Sequence, residues 1–208
     1  MDTSVIAQLL GPYIQLDESR LSAISKYIDL LVKWNTRINL TAIREPNEMV
    51  QRHFGESFFA ANYSLKEKPV SSAIDLGSGA GFPGVPLAIF APEVQITLIE
   101  AHQKKATFLR ELIAQLGLKN AKVFADRGEK YQLTAEMVIM RAVESFSQVL
   151  PLAIQLACDG GRVALMIGAS QFEEVKSVEK LVDWDEQVVI PGGHSRILLV
   201  GTKNVKVE

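Results

Sequence analysis

One cysteine, Cys158, stands among 208 residues, so no disulfide can form within the chain. The three histidines (His53, His102, His194) share no short metal-binding spacing with it, and a metal-free protein is expected. No apolar run approaches the roughly 20 residues needed to cross a bilayer. The opening stretch, MDTSVIAQLLGPYIQLDES, has no basic leader and carries Asp2, which does not read as a signal peptide. A cytoplasmic protein with no membrane partner follows as the expectation, and a monomer is the simplest oligomeric state. Neither sign of charge dominates: the formal net charge is -2, so the broad positive field that drives non-specific nucleic-acid binding is missing. A chain of this length buries one sizeable core and is short for two full enzyme domains.

The near-neutral total conceals an asymmetry. From Glu100 to Lys130 there are seven basic residues (Lys104, Lys105, Arg110, Lys119, Lys122, Arg127, Lys130) against four acidic ones. From Glu173 to Glu186 there are six acidic residues (Glu173, Glu174, Glu179, Asp183, Asp185, Glu186) against two basic. One side is thereby suited to face a polyanion while another repels it; a solvated surface of uneven charge fits the same pattern.

Residues 1–69 read as a helical region packed on the core, and 70–208 as the main domain. Leu16 and Asp17 form a staple and cap, and Leu21, Ile24, Ile28 and Leu31 then recur at helical spacing. Trp34 extends the stripe and reads as core rather than as a base-stacking platform. Asn35, Asn39 and Thr41 mark the polar turn that ends the helix. A second helix is expected from about Asn47 to Tyr63, followed by the connector LKEKP. From Ser71 the pattern changes to short apolar runs: SAIDL, VQITLIE, AKVFAD, MVIMRA, GRVALMI and SRILLV. Helix-length intervals between the early runs imply right-handed crossovers and parallel neighbours. One such helix lies between Ala80 and Pro92, another between His102 and Leu116, with Ala106, Leu109, Ile113 and Leu116 facing inward. VVI, the turn PGG and SRILLV read as a hairpin closing the sheet.

The most informative segment is AIDLGSGAGFPGVP, residues 73–86. A strand runs into a loop with glycines at 77, 79, 81 and 84, which permits tight bends and close approach of a ligand. The helix that follows presents unpaired N–H groups; Pro83 and Pro86 near its first turn break no internal bond. Glycines 79, 81 and 84 satisfy the dinucleotide pattern G-x-G-x-x-G, so the glycines alone leave three readings open: a dinucleotide site, a methyl-donor site and a structural turn. Asp75 favours the second, because a carboxylate at the strand end suits a cationic amino-acid moiety and not a pyrophosphate. Glu100 ends the next strand, where it can accept bonds from both ribose hydroxyls or cap the helix opening at His102. Asp126 ends the third and can border an adenine pocket, although Asp-Arg-Gly also makes a sound turn.

Together these residues resemble the bacterial 16S ribosomal RNA guanine-N7 methyltransferases, the glucose-inhibited division protein B family, from about Tyr27 to Val200. The most specific pieces are WNTRINLTAI (34–43), DLGSGAGFPGVPLAI (75–89) and KKATFLREL (104–112). The resemblance implies an α/β, Rossmann-like class I methyltransferase fold: a seven-stranded, mostly parallel sheet flanked by helices, with a small helical N-terminal region. It further implies S-adenosyl-L-methionine as donor and, as target, N7 of guanine 527 (rRNA numbering) in the 530 loop of 16S rRNA, within a small-subunit particle. The donor-binding set expected is Asp75, Gly77, Ser78, Gly79, Gly81, Phe82, Glu100, Ala101, Asp126, Arg127, Gly128, Glu129 and Arg141. Arg127 and Glu129 match an R-x-E element after the third strand, Arg141 and Ala142 an R-A pair at the end of the fourth, and Arg196 an arginine entering the last strand. Where the family often has a lysine before a glycine after the fifth strand, this chain has Ile167 before Gly168.

Guanine N7 carries an exposed lone pair and no proton, so its methylation needs alignment and exclusion of water and no general base. Arg141 and Arg127 are the residues expected nearest the reaction, and Arg37, Asn39, Arg141 and Arg196 those expected to hold the RNA. An arginine at Arg141's position can contact guanine O6 or a phosphate; pairing with Glu144 or Asp75 is its alternative role. Other readings of the whole chain are a methyltransferase for a small molecule or protein, a non-catalytic ribosome-binding module, and a nicotinamide-dependent oxidoreductase.

Overall fold

The computed structural model describes residues 1–66, 68–141, 145–168, 171–175, 178, 180–192 and 196–205. Ala142, Glu144, Glu179, Gly193 and His194, which enter the expectations above, lie outside the described residues, as does Glu67 of the connector.

Helix α1 (Thr3–Leu10) is capped by Asp2, whose Oδ1 accepts from Ser4 N–H at 2.8 Å, and buries Ile6 and Leu10. Helix α2 (Glu18–Asn35) starts where the cap predicts: Asp17 accepts from the Arg20 N–H at 2.9 Å. Its buried stripe is the expected Leu21, Ile24, Ile28 and Leu31, widened by Tyr27 and Leu30. Asn35 ends it by folding back the chain, donating to the Thr41 carbonyl and accepting from the Leu40 and Thr41 N–H groups at 2.9–3.1 Å. The second helical stretch is interrupted, contrary to expectation. A short α3 (Pro46–Met49) opens into a π-helical segment (Val50–Gly55) before α4 (Glu56–Lys66). A π segment inside a helix is a local irregularity found frequently at functional sites, and this one faces the site described below.

The main domain alternates strands β1 (Ser72–Leu76), β2 (Gln95–Ile99), β3 (Ala121–Phe124), β4 (Ala135–Arg141) and β5 (Ala157–Gly168) with helices α5 (Gly84–Phe90), α6 (Gln103–Leu116) and α7 (Phe146–Leu156). The β3–β4 connection instead carries a single 3-10 turn (Gly128–Lys130). After β5 come α8 (Phe172–Val175), β6 (Val182–Trp184), β7 (Val188–Val189) and β8 (Arg196–Lys203). The sheet order is β3-β2-β1-β4-β5-β8-β6, with β1 to β5 parallel and β8 antiparallel to its neighbours. Among the described residues the sheet has eight strands where seven are expected: the seven runs of the sequence are all present, and β6 is the addition. The hairpin is present as the pairing of β7 with β8. The sequence pattern missed β6, three residues with Asp183 at their centre and Asp185 after them. Because β5 occupies one side of β8, β6 and β7 lie end to end along its other side, as one interrupted edge strand.

Both faces of the sheet are covered, which is why its strands read as continuous apolar runs. One apolar cluster joins α1, α2, α4, α5 and α6 to residues of β1, β2, β4, β5 and β8, so the N-terminal helices share a core with the sheet. The other packs α7 and α8 on the opposite face. Helix α6 buries Ala106, Phe108, Leu109 and Leu112, whereas Ile113 and Leu116 are half-buried. It packs against both α2 and β3, which turns its inner face from the one its spacing predicts. Strand β1 sits between β2 and β4, so the chain reverses direction of growth there. In open α/β sheets that switch point leaves a crevice beyond the carboxyl ends of the strands.

The uneven charge maps onto opposite edges. Lys104, Arg110, Lys119, Lys122, Arg127 and Lys130 are exposed on α6, β3 and the adjoining turns, at the β3 edge. Glu173, Asp183, Asp185 and Glu186 are exposed around α8 and β6, at the other edge.

Candidate active site

The loop after β1 occupies the crevice. Gly77 and Ser78 both donate their N–H groups to the Ile99 carbonyl at 3.0 Å, which ties the loop to the end of β2. Two glycines in it are required by space. Gly81 has φ 95°, and a Cβ there would lie 2.5 Å from the Tyr27 hydroxyl. At Gly84 a Cβ would collide with Leu98 and lie 2.5 Å from Asp75 Oδ2, so only glycine lets α5 start this close to β1. Ser78 is buried, its hydroxyl donating to the Asp75 carbonyl at 3.0 Å.

Asp75 is fully buried. Its Oδ2 accepts from the Gly84 N–H at 3.0 Å, and its Oδ1 has no hydrogen-bond partner among the described residues. Burial raises its carboxyl from the usual carboxylate range to about 7, and the nearby Glu100 adds to the rise. Glu100 spans the loop and α6, accepting from Gly79 N–H at 2.8 Å and from His102 N–H at 2.7 Å. The capping role at His102 is therefore present, and each of its oxygens retains a lone pair for a further donor. Asp126 accepts from the Arg127 N–H at 2.8 Å and pairs with Lys130 at 3.0 Å, which holds its carboxyl below the ordinary value.

Six of the residues singled out from the sequence (Gly77, Ala101, Asp126, Arg127, Gly128, Glu129) line one cleft of about 440 Å³. Leu76, Ile99, Val149 and Leu152 supply its apolar walls. Gly128 is the floor: a Cβ there would lie 2.8 Å from Leu76 and 2.9 Å from Leu152. The volume falls within the usual range for small-ligand sites, and the mixture of flat apolar walls and rim carboxylates suits a nucleoside. The orphaned Asp75 oxygen beside the glycine loop is the feature a cationic ligand group would satisfy. S-adenosylmethionine, an adenosine carrying an amino-acid ammonium, fits both.

A second group of expected residues gathers at the ends of β4 and β8. Arg141 is buried and pairs with Glu56 at 3.0 Å, not with Asp75; Glu144 lies outside the described residues. The π segment explains the difference: it brings Glu56 and the carbonyls of Arg52 and His53 over the sheet end, where Arg141 donates to both carbonyls and forms an ion pair with Glu56. Burial lowers Arg141 to about 10, still cationic at neutral pH. Arg196 reaches the same Glu56 oxygen at 2.7 Å. His53 completes the group, stacked on Phe82 with centroids 4.8 Å apart and bonded to the Thr41 hydroxyl at 2.7 Å. Burial, with Arg141, Arg196 and Arg52 nearby, drops His53 to about 3, so it is neutral. Phe82 is a buried plate between His53 and Tyr27, the latter 5.1 Å away and nearly parallel, and it joins the glycine loop to the N-terminal helices.

Arg37 and Asn39 are exposed on the turn after α2, where Asn39 accepts from Arg44 at 3.0 Å. Trp34 is half-buried, its indole N–H on Glu111 at 3.0 Å and its ring edge-on to Phe108, which is a packing role. Glu56 and His53 were not singled out by the sequence reading. The only signal was their spacing of three in a helical stretch, which places two titratable side chains on one face.

The strand order, the glycine loop at the switch point and the adjoining cleft fit a Rossmann-like methyltransferase that uses S-adenosylmethionine. A solved structure with a matching backbone, a putative O-methyltransferase from Klebsiella pneumoniae, superposes with a TM-score of 0.64 at 16% identity, covering 97% of each chain. The chain belongs to the rRNA small subunit methyltransferase G (GidB) family, whose model matches residues 20–196. Similar relatives include Ribosomal RNA small subunit methyltransferase G of Xylella fastidiosa, 40% identical over 164 residues, 78% of this chain and 76% of the relative. The protein of that name from Chromobacterium violaceum is 35% identical over 183 residues, 86% of each.

Proposed function

We propose that this protein transfers a methyl group from S-adenosylmethionine to N7 of guanine 527 (rRNA numbering), in the 530 loop of 16S rRNA, acting as a monomer in the cytoplasm on a small-subunit particle. The observations that carry the reading are the cleft of Gly77, Ala101, Asp126, Arg127, Gly128 and Glu129 and, one residue before its Leu76 wall, the orphaned Asp75 oxygen, in a chain of this family.

When bound, S-adenosylmethionine supplies a methyl group on a positively charged sulfur. Asp75 takes the amino-acid ammonium, which favours its ionised form against the burial that opposes it. Glu100 receives the ribose hydroxyls on its free lone pairs. Asp126 and the Gly128 floor border the adenine, with Ile99, Val149 and Leu152 against its faces. Arg127, exposed at the rim, meets an RNA phosphate. Arg141 and Arg196 present positive charge at the strand ends where the target base enters, and Arg37 and Asn39 close over it from the turn after α2. No side chain has to remove a proton, because N7 has none; the protein aligns N7 with the methyl carbon and keeps water out. His53, held neutral, adds no charge at that face.

The test is transfer of a labelled methyl group to small-subunit particles from cells lacking this modification, run beside naked 16S RNA, protein and small-molecule acceptors. One methyl per particle is the expected result. Donor binding without transfer to any ribosomal RNA would contradict the proposal and favour a non-catalytic ribosome-binding module.

A further inference from the structure

Two arginines from the strands on either side of β5 meet on a single carboxylate that belongs to neither strand. Glu56, the first residue of α4, is fully buried, and its Oε2 receives Arg141 from the end of β4 and Arg196 from the start of β8. Its Oε1 has no partner among the described residues. A buried carboxylate is costly unless paired, and two guanidiniums side by side repel unless an anion lies between them. Each charge here is tolerable because of the others.

The two arginines differ in what they have left to offer. Arg141 is buried and also bound to the carbonyls of Arg52 and His53. Arg196 spends one nitrogen on Glu56 and keeps 27% of its side chain exposed. Arg52 is taken up by Glu48 at 2.9 Å, and His53 is neutral. The cluster of Glu56, Arg141 and Arg196 therefore carries one net positive charge, with its open side on Arg196, at the sheet edge where ligands bind.

We propose that Glu56 is a positioning residue for RNA: it fixes the Arg196 guanidinium, through the shared pairing with Arg141, so that its open edge grips a backbone phosphate of the target. A phosphate is the expected contact because an exposed arginine fork held at fixed orientation matches phosphate oxygens bidentately. The inference rests on the RNA reading above.

The test compares Glu56→Gln, Glu56→Asp, Arg196→Gln and the double variant Glu56→Gln/Arg196→Gln with the wild type. Donor affinity, melting temperature, and kcat and KM on unmethylated small-subunit particles over a range of salt are measured. Glu56→Gln is expected to keep donor Kd within about twofold while raising particle KM by about tenfold, and to reduce the salt slope by about one phosphate contact. Glu56→Asp restores part of the loss, and the double variant is no worse than Arg196→Gln alone, since the two residues act as a unit. A fall in melting temperature with wild-type KM and salt slope would overturn the proposal, leaving Glu56 a packing residue. If Glu56→Gln does not fold, Glu56→Asp carries the comparison with the same criteria. A wild type that binds particles but transfers no methyl removes the RNA reaction, and Glu56 is then judged by particle Kd from filter retention in place of KM.

Discussion

Replacing Asp75 by asparagine is expected to stabilise the protein and weaken its hold on the donor, with a pH dependence that identifies the cause. Asp75 is fully buried, one oxygen bonded to Gly84 N–H and the other without a partner among the described residues, and burial raises its carboxyl from the ordinary 3.8 to about 7. An acid whose folded value lies above its unfolded one binds its proton more tightly when folded. Stability is therefore lost as pH rises from about 4 to about 7, and the loss is complete above that. At about 1.4 kcal/mol per unit, the cost of the charge is about 4 kcal/mol at pH 8 and about 2 kcal/mol at pH 5. Asparagine keeps the acceptor for Gly84 and removes the charge. Its amide N–H is left without an acceptor, an offset of about 1–3 kcal/mol that does not change with pH. The informative quantity is the variant's melting temperature minus the wild type's, which should widen by the equivalent of about 2 kcal/mol, or about 4–8 °C, between pH 5 and pH 8. The measurement is thermal unfolding by circular dichroism without donor. A difference constant over that range would refute the argument that a buried charge is the cause. Calorimetry should show the complementary effect: wild-type donor affinity improves as pH rises through 7, and Asp75→Asn loses both that trend and at least tenfold in affinity.

Glu100→Ala leaves the Gly79 and His102 N–H groups without their acceptor and is expected to cost about 2–4 kcal/mol in urea unfolding, together with most donor affinity by calorimetry. Asn35→Ala removes three hydrogen bonds that shape the turn at 36–41, with an expected loss of about 2–3 kcal/mol and slower methyl transfer at unchanged donor Kd. His53, held near 3, contributes stability that is present above its unfolded value of about 6.5 and is lost as pH falls towards 3. His53→Gln should therefore unfold less steeply than the wild type when acidified between pH 6.5 and 4, a difference of about 3 kcal/mol at the lower end.

The glycine loop was legible in the sequence because its requirement is local: Gly84 must lie against Asp75, nine residues away, and nothing larger fits. Glu100 and Asp126 were legible for the same reason, since they follow within two residues of strands whose apolar runs mark their ends. The arginine group was only half legible. Arg141 and Arg196 sit at strand ends and were singled out, but their common carboxylate lies 140 residues from Arg196 in sequence, and only the packing of α4 on the sheet brings it there. The π segment has no propensity signature, so 47–63 reads as one helix although the added turn is what points the Arg52 and His53 carbonyls at Arg141. Strand β6 escaped notice because three residues in an acidic stretch do not establish an alternation; its pairing with the long β8 makes it a strand.

The central claim is tested most directly by digesting 16S rRNA from small-subunit particles after incubation with this protein and S-adenosylmethionine, and locating the added mass by fragmentation. One methyl group on N7 of the 530-loop guanine is the predicted result. A methyl group on another nucleotide, or none on RNA while the donor is bound, would contradict the account.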